Sequence, residues 1–424
     1  MRTREDINTL AIDSQRIDSP ELAPVEKSER IEQVITWAEE QLSWLEPAAK
    51  KVLQARFASL PPNDTAFDPS MSIEDQLYGD PTYDADIVKQ GLDLRKRATL
   101  GFHEITTSYN DKIDDSLEAK EKKEHIRTAL LEIGQEFGFV PIAPSDASDP
   151  SDRWLDMQNS ELEPILGKVD AVVIPGAAGK SNHMRLADTI RDIQAGIIDT
   201  DHIIFATCSR KVRPDEIKNL TEAGFTTGTN NFGISEYNLC EAACEDLLGV
   251  SFDAMGYAAY KVENPQRIDH SSFRKTTAVI GGKMVEIHVV QTSQDGRLDA
   301  RGFEPDRADT RDTFYGLAGL LPEDAERIVI KSHDTWVNYQ DVIAREVFEL
   351  GMGIDVISSG PRRSDRVFYK KDEHGRILTD SEGEPIMDLN NAEQVMDEIA
   401  KTYQDIMKLR SKAISYREKF ALAA

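Results

Sequence analysis

The chain has 424 residues, with 50 Lys and Arg against 76 Asp and Glu, and a formal charge of −26. That field opposes duplex nucleic acid and anionic membrane surfaces unless a concentrated basic patch overcomes it, and no run of Lys and Arg does so. Three cysteines, Cys208, Cys240 and Cys244, are too few for a disulfide scaffold and suit a reducing compartment. The N-terminus lacks an apolar signal core and no apolar run approaches ~20 residues, so a cytoplasmic protein is expected.

Residues 1–27 are polar, carry Pro20 and Pro24, and read as a loosely packed lead-in. Ile31, Ile35, Ala38, Leu42 and Leu45 form an apolar stripe at helical spacing. The spacing predicts a helix that ends before Pro47 and a second one over 48–60. A turn-rich loop follows over 61–84. Further helices are predicted at 84–98 and 112–137, the latter stopping at Gly138. Residues 1–143 thus read as a mainly helical N-terminal region, the expected surface for a second copy or a protein partner.

FGFVPI at 137–142 suggests a strand, and PSDASDPSD at 144–152 has the composition of a linker. Beyond it the sequence changes character. Residues 169–174 are continuously apolar and β-branched, as a central parallel strand is. A glycine turn follows, GAAGKS at 176–181, then a helix with Leu186, Ile190, Ile193 and Ile197 on one side. A strand is predicted at 202–209 and helices at 214–223 and 235–248. Two β-rich runs flank Gly281-Gly282 in 276–290, giving either a hairpin or a tight turn between parallel strands. A helix at 308–320 precedes a strand–helix–strand series at 327–331, 336–350 and 354–358. The fold class expected for 154–365 is α/β, a Rossmann-like doubly wound, mostly parallel sheet. Residues 366–424 read as a hairpin and a C-terminal helix that packs back on that domain.

In an open parallel sheet, ligands bind beyond the carboxyl ends of the strands. The polar residues placed there are the candidates. The first turn contributes Gly176, Gly179, Lys180, Ser181, Asn182, His183 and Arg185; the second strand is followed by Thr207, Ser209 and Arg210. Asp309, Thr310, Arg311 and Asp312 open a later helix. Ser332, His333 and Asp334 follow one late strand, and Ser359, Arg362 and Arg363 follow the last.

GAAGKS is not a phosphate loop of the Walker type, which places a glycine five positions before the second one; Ile174 stands there. The free amides at this helix start, with Lys180 beside them, suit a phosphate or carboxylate, unless the glycines only form a tight turn and Lys180 faces solvent. His333 is positioned for proton transfer near neutral pH, while Asp334 suits either a catalytic role or capping of the following helix. His183 opens the first helix, where the dipole disfavours its charged form. His183, His333 and Asp309 are the thin basis for a metal-dependent hydrolase, since no established metal-ligand spacing occurs. Arg210, Arg311, Arg362 and Arg363 offer planar donors to an anionic ligand or pair with surface carboxylates. No cofactor can be named from these residues.

DAVVIPGAAG, RLADTIRDIQAG and HIIFAT together resemble the opening of the bacterial domain found in YdcF, SanA and ElyC proteins. SEYNLCEAACEDLLG, ADTRDT and RIVIKSHDTWVNYQDVIAREVFELG resemble its later motifs in the same order, over 169–358. The resemblance implies a Rossmann-like fold, a polar pocket at the strand ends, a histidine at His333, and roles in cell-envelope metabolism or with nucleotide-like ligands. The leading expectation is an enzyme acting on a phosphorylated or nucleotide-like small molecule. Lys180 holds the anion in that reading, His333 handles a proton and arginines stabilise charge. The alternatives are a non-catalytic metabolite-binding or interaction module, and a metal-dependent hydrolase.

Overall fold

The computed structural model describes residues 24–57, 117–137, 139–140, 166–177, 181–208, 212, 217–218, 221, 235–252, 256–261, 268–292, 310–333, 336–359, 369–370, 372, 377–383, 385–389 and 392–423. The helix expected at 84–98 and the linker at 144–152 lie outside these residues. Helix α1 is Pro24–Phe57 and α2 is Leu117–Glu136. The short strand β1, Gly167–Lys168, is followed by β2, Ala171–Pro175, and helix α3, Ser181–Gln194. Then come β3, Ile198–Asp199, β4, His202–Cys208, and α4, Glu236–Leu248. Strands β5, Gly256–Lys261, β6, Ile268–Ile280, and β7, Lys283–Thr292, precede α5, Thr310–Leu317. The chain closes with β8, Arg327–Lys331, α6, Val337–Ala344, β9, Asp355–Ser359, and α7, Ala392–Ala423.

These elements divide into two compact units. The first is Met1–Val25, Lys168–Ile328 and Gly351–Ile354; the second is Glu26–Gly167, Val329–Leu350 and Asp355–Ala424.

The first unit is α/β. Its strands run in the order β5-β6-β7-β4-β2, with β2–β4 and β4–β7 parallel and β6–β7 and β5–β6 antiparallel. All five residues of β2 are buried, which is why the strand is apolar without alternation. The β6–β7 connection settles the open choice at Gly281-Gly282 as a hairpin. Both glycines have positive φ, 60° and 82°, the backbone a two-residue turn between twisted strands requires. Helix α4 begins at a capping box, in which Ser235 Oγ accepts from the Asn238 amide and Asn238 Oδ1 accepts from the Ser235 amide; it ends at Gly249 in the left-handed region. The Asp170 carboxylate accepts from the amides of Glu326 and Arg327 at 2.7 and 2.8 Å, fixing the entry to β8.

The core of the second unit is helical. Ile31, Ile35, Ala38, Leu42 and Leu45 of α1 pack with Leu130, Leu131 and Ile133 of α2 and Val395, Ile399, Tyr403 and Ile406 of α7. Helix α1 does not stop at Pro47, as the sequence suggests, but runs through it. Leu45 and Ala48, on either side, are fully buried in the same core, and that packing outweighs one missing backbone hydrogen bond. Phe139 and Val140 form no strand. Their amides both donate to the Gly134 carbonyl, at 2.7 and 2.9 Å, and complete the end of α2. Helix α6 begins one residue later than expected and passes into a π-helical turn over Arg345–Leu350. Arg345 there pairs with Asp341 at 3.0 Å and Glu349 at 2.6 Å and lies 4.5 Å over the Trp37 ring. Burial works against the guanidinium charge, but the two carboxylates outweigh it and hold the group above its ordinary range.

No described helix is long and apolar enough to cross a membrane.

Candidate functional site

In the first unit, the carboxyl end of β2 is shaped by close approach. The Gly176 amide donates to the Ala206 carbonyl at 2.7 Å, and a Cβ on Gly176 would lie 3.0–3.1 Å from the side chain and Cα of Thr207. Thr207 is itself fixed by donating to the Val290 carbonyl at 2.7 Å. The Asn182 side chain takes up both backbone groups of Ala177: its Nδ2 donates to the carbonyl at 2.7 Å, and its Oδ1 accepts from the amide at 3.0 Å. Arg185, 1% exposed, donates to the Pro175 carbonyl. Asn182 and Arg185, expected among ligand donors, also build the turn, as buried backbone groups demand partners.

Ser181 is buried where α3 begins. His183 Nε2 lies 2.9 Å from Asp246 Oδ2, tying α3 to α4. Burial lowers the His183 pKa below the ordinary imidazole value, against the opposing pull of Asp246, so the ring is neutral at pH 7. Cys208 Sγ donates to Glu236 Oε2 at 3.0 Å. Burial pushes the Cys240 and Cys244 thiols up, which keeps them protonated and inert. Arg311 is half-buried in the first turn of α5. Gly179, Lys180, Arg210, Asp309 and Asp334 lie outside the described residues, as do Ser209, Arg362 and Arg363.

The second unit holds a different polar group at the carboxyl end of β8. Lys331 and Ser332 are fully buried and His333 is 1% exposed. The Ser332 amide donates to the Ser359 carbonyl at 2.9 Å, which sets the ends of β8 and β9 side by side. The His333 carbonyl accepts from the amides of Trp336 and Val337, at 3.2 and 3.1 Å, and so starts the turn into α6. Its ring stands edge-on to Trp336, with centroids 4.7 Å apart. Ser358 Oγ donates to Asp341 Oδ1 at 2.7 Å. By contrast, Ser332 Oγ and Ser359 Oγ are buried with no hydrogen-bond partner among the described residues.

His333, Ser332 and Ser359 were legible in the sequence as polar residues after strands. Lys331 was not, because in the sequence it reads only as the last residue of the strand RIVIK. The available signal was an ionisable residue directly before a polar turn.

Lys331, Ser332 and His333 are thus buried in succession at the carboxyl end of β8, the kind of strand end at which α/β sheets hold ligands. Among the described residues no three His, Cys, Asp or Glu side chains are gathered to hold a metal ion. No protein-family model, no curated protein and no solved structure matches the chain.

Proposed function

We propose that the chain is an α/β enzyme acting on a phosphorylated or nucleotide-like small molecule, with its reacting group at the carboxyl end of β8. His333 moves the proton and Lys331 offsets the negative charge of the ligand. The observation that carries this reading is the burial of Lys331, Ser332 and His333 together at a strand end. Lysine is among the residues least often buried, so its place beside a buried serine and histidine at a strand end is unusual. Strand ends are also where α/β sheets bind ligands. The resemblance of 169–358 to the YdcF, SanA and ElyC domain supports the same reading, since His333 stands at the position of that domain's histidine. A cytoplasmic location belongs to this proposal.

The test is thermal unfolding of the purified chain with nucleotides, sugar nucleotides, S-adenosylmethionine and phosphosugars, each with and without divalent metal. A ligand that binds only the native state raises the melting temperature. The expected result is a shift with a phosphorylated compound that is lost in His333→Ala. Lys180→Ala, Arg210→Ala and Arg311→Ala, run in the same screen, report on the anion-holding roles expected of those residues. A flat screen on folded protein overturns the enzyme reading. It then favours a non-catalytic interaction module, for which Trp44, 44% exposed on α1, is the feature to mutate.

A further inference from the structure

We infer that the seam between β6 and β7 is a pH-sensitive element of the first unit: when His288 gains a proton, the pairing of these strands loosens around Lys275, while β7, β4 and β2 stay paired. Successive side chains of a strand point to opposite faces of the sheet, so the register assigns the residues of one face. Glu286 and His288 of β7, Lys275 of β6 and His202 of β4 share it, with Lys275 paired to His288 and His202 paired to Glu286. One carboxylate serves three basic groups there. Glu286 Oε1 lies 3.4 Å from His288 Nε2 and 3.9 Å from His202 Nδ1, and Oε2 lies 3.5 Å from Lys275 Nζ. With neutral imidazoles, Glu286 and Lys275 balance; a proton on each imidazole leaves three cations against one anion. His288 cannot ease this by turning to water, being 6% exposed and edge-on to the Phe273 ring at 5.5 Å. Its Nε2 faces the carboxylate, so the proton arrives at Nδ1, a buried atom with no hydrogen-bond partner among the described residues. The charged groups acting on the ring are Glu286, Lys275 and His202. Helices α4 and α5 also pack on β7; the first carries Glu236, Glu241, Glu245 and Asp246 and the second Arg311 and Asp312, and none of these acts on it. Burial, joined by Lys275 and His202, holds the imidazole below its ordinary 6.5 against the pull of Glu286, so an open seam binds the proton more tightly than a closed one. Like charges directly opposite in an antiparallel pair weaken that pair, and the charge opposite His288 is Lys275. The strand that yields is β6, because β5 and β6 form the antiparallel margin of the sheet, whereas β4 is held between β7 and β2.

The test is hydrogen–deuterium exchange of the full chain at about pH 8 and about pH 5.5, corrected for the intrinsic pH dependence of exchange, with the His288 ring followed by NMR. An open seam in which His288 regains its ordinary value of 6.5 is favoured about tenfold at pH 5.5. Protection of peptides from β6 and β7 should therefore fall about tenfold more than that of peptides from β2. His288→Gln should abolish this difference. Lys275→Gln changes a side chain that is 51% exposed, keeps the titrating ring and removes the opposing charge, so the difference should shrink to about threefold. That variant decides the matter even where His288→Gln does not fold. An equal loss of protection in β2 overturns the inference, because the opening is then global. So does a difference that persists undiminished in either variant, or a His288 ring that is already charged at pH 8.

Discussion

Gly176 shows how a single position can be read correctly in kind and still need coordinates for its cause. A glycine after a buried strand announces a tight turn, and that much is sequence. The neighbour that forbids a side chain is Thr207, at 3.0–3.1 Å from the missing Cβ, and it comes from another strand. Because one of the close atoms is the Thr207 Cα, relief requires moving backbone that is anchored in the sheet. Gly176→Ala is therefore expected to destabilise the protein by about 1–3 kcal/mol, as overpacking does in tight cores; an unchanged midpoint in urea denaturation would contradict this. Asn182 and Arg185 carry the converse lesson. Their residue types suit a ligand, and the structure shows a second task that the sequence did not reveal, holding the Ala177 and Pro175 backbone groups.

Among elements, α1 is the instructive one. The apolar stripe from Ile31 to Leu45 was legible, and Pro47 argued for a break. What carries the helix onward is the core on both sides of the proline, which no local rule includes. Pro47 itself is exposed, so its ring adds little packing while it forgoes a hydrogen bond. Replacing it is expected to help the fold: Pro47→Ala should raise stability by about 1–2 kcal/mol, the restored backbone bond outweighing the entropy returned to the unfolded chain. A fall in the melting temperature would show that the proline supports the helix path. At the β6–β7 connection Gly281-Gly282 signalled a tight turn, and the antiparallel pairing of the two strands decided between the two turns that the sequence allowed.

Across the whole molecule, stability should depend on pH through buried histidines. His183 and His288 both have pKa values lowered from 6.5, chiefly by burial. His288 faces Glu286 at 3.4 Å and pairs in register with Lys275 across the sheet. A neutral buried imidazole means that the unfolded chain takes up protons first as pH falls. Stability is thus full above about pH 7.5 and declines as pH drops through 6.5 towards the lower native values, below which the loss levels off. Denaturation midpoints at about pH 8 and about pH 5.5 check this, and His183→Gln with His288→Leu should flatten the slope. A parent chain equally stable at both would show that neither histidine is neutral in the fold.

By itself the sequence determined the α/β character after residue 168, the strands at 169–174, 202–209 and 327–331 with the helices that follow the first and last of them, and the polar residues that follow each strand, but not strand β5 or the first half of β6. These are local properties: period, β-branching, caps and turn chemistry act within a few residues. Tertiary structure alone decided that α1 passes through Pro47, that Phe139 and Val140 finish a helix, and that Asn182 and Arg185 hold a turn together. It also decided that Lys331 is buried at the end of β8. Each of these depends on which distant segment lies within a few ångströms, and burial and hydrogen-bond satisfaction follow from that proximity rather than from residue type.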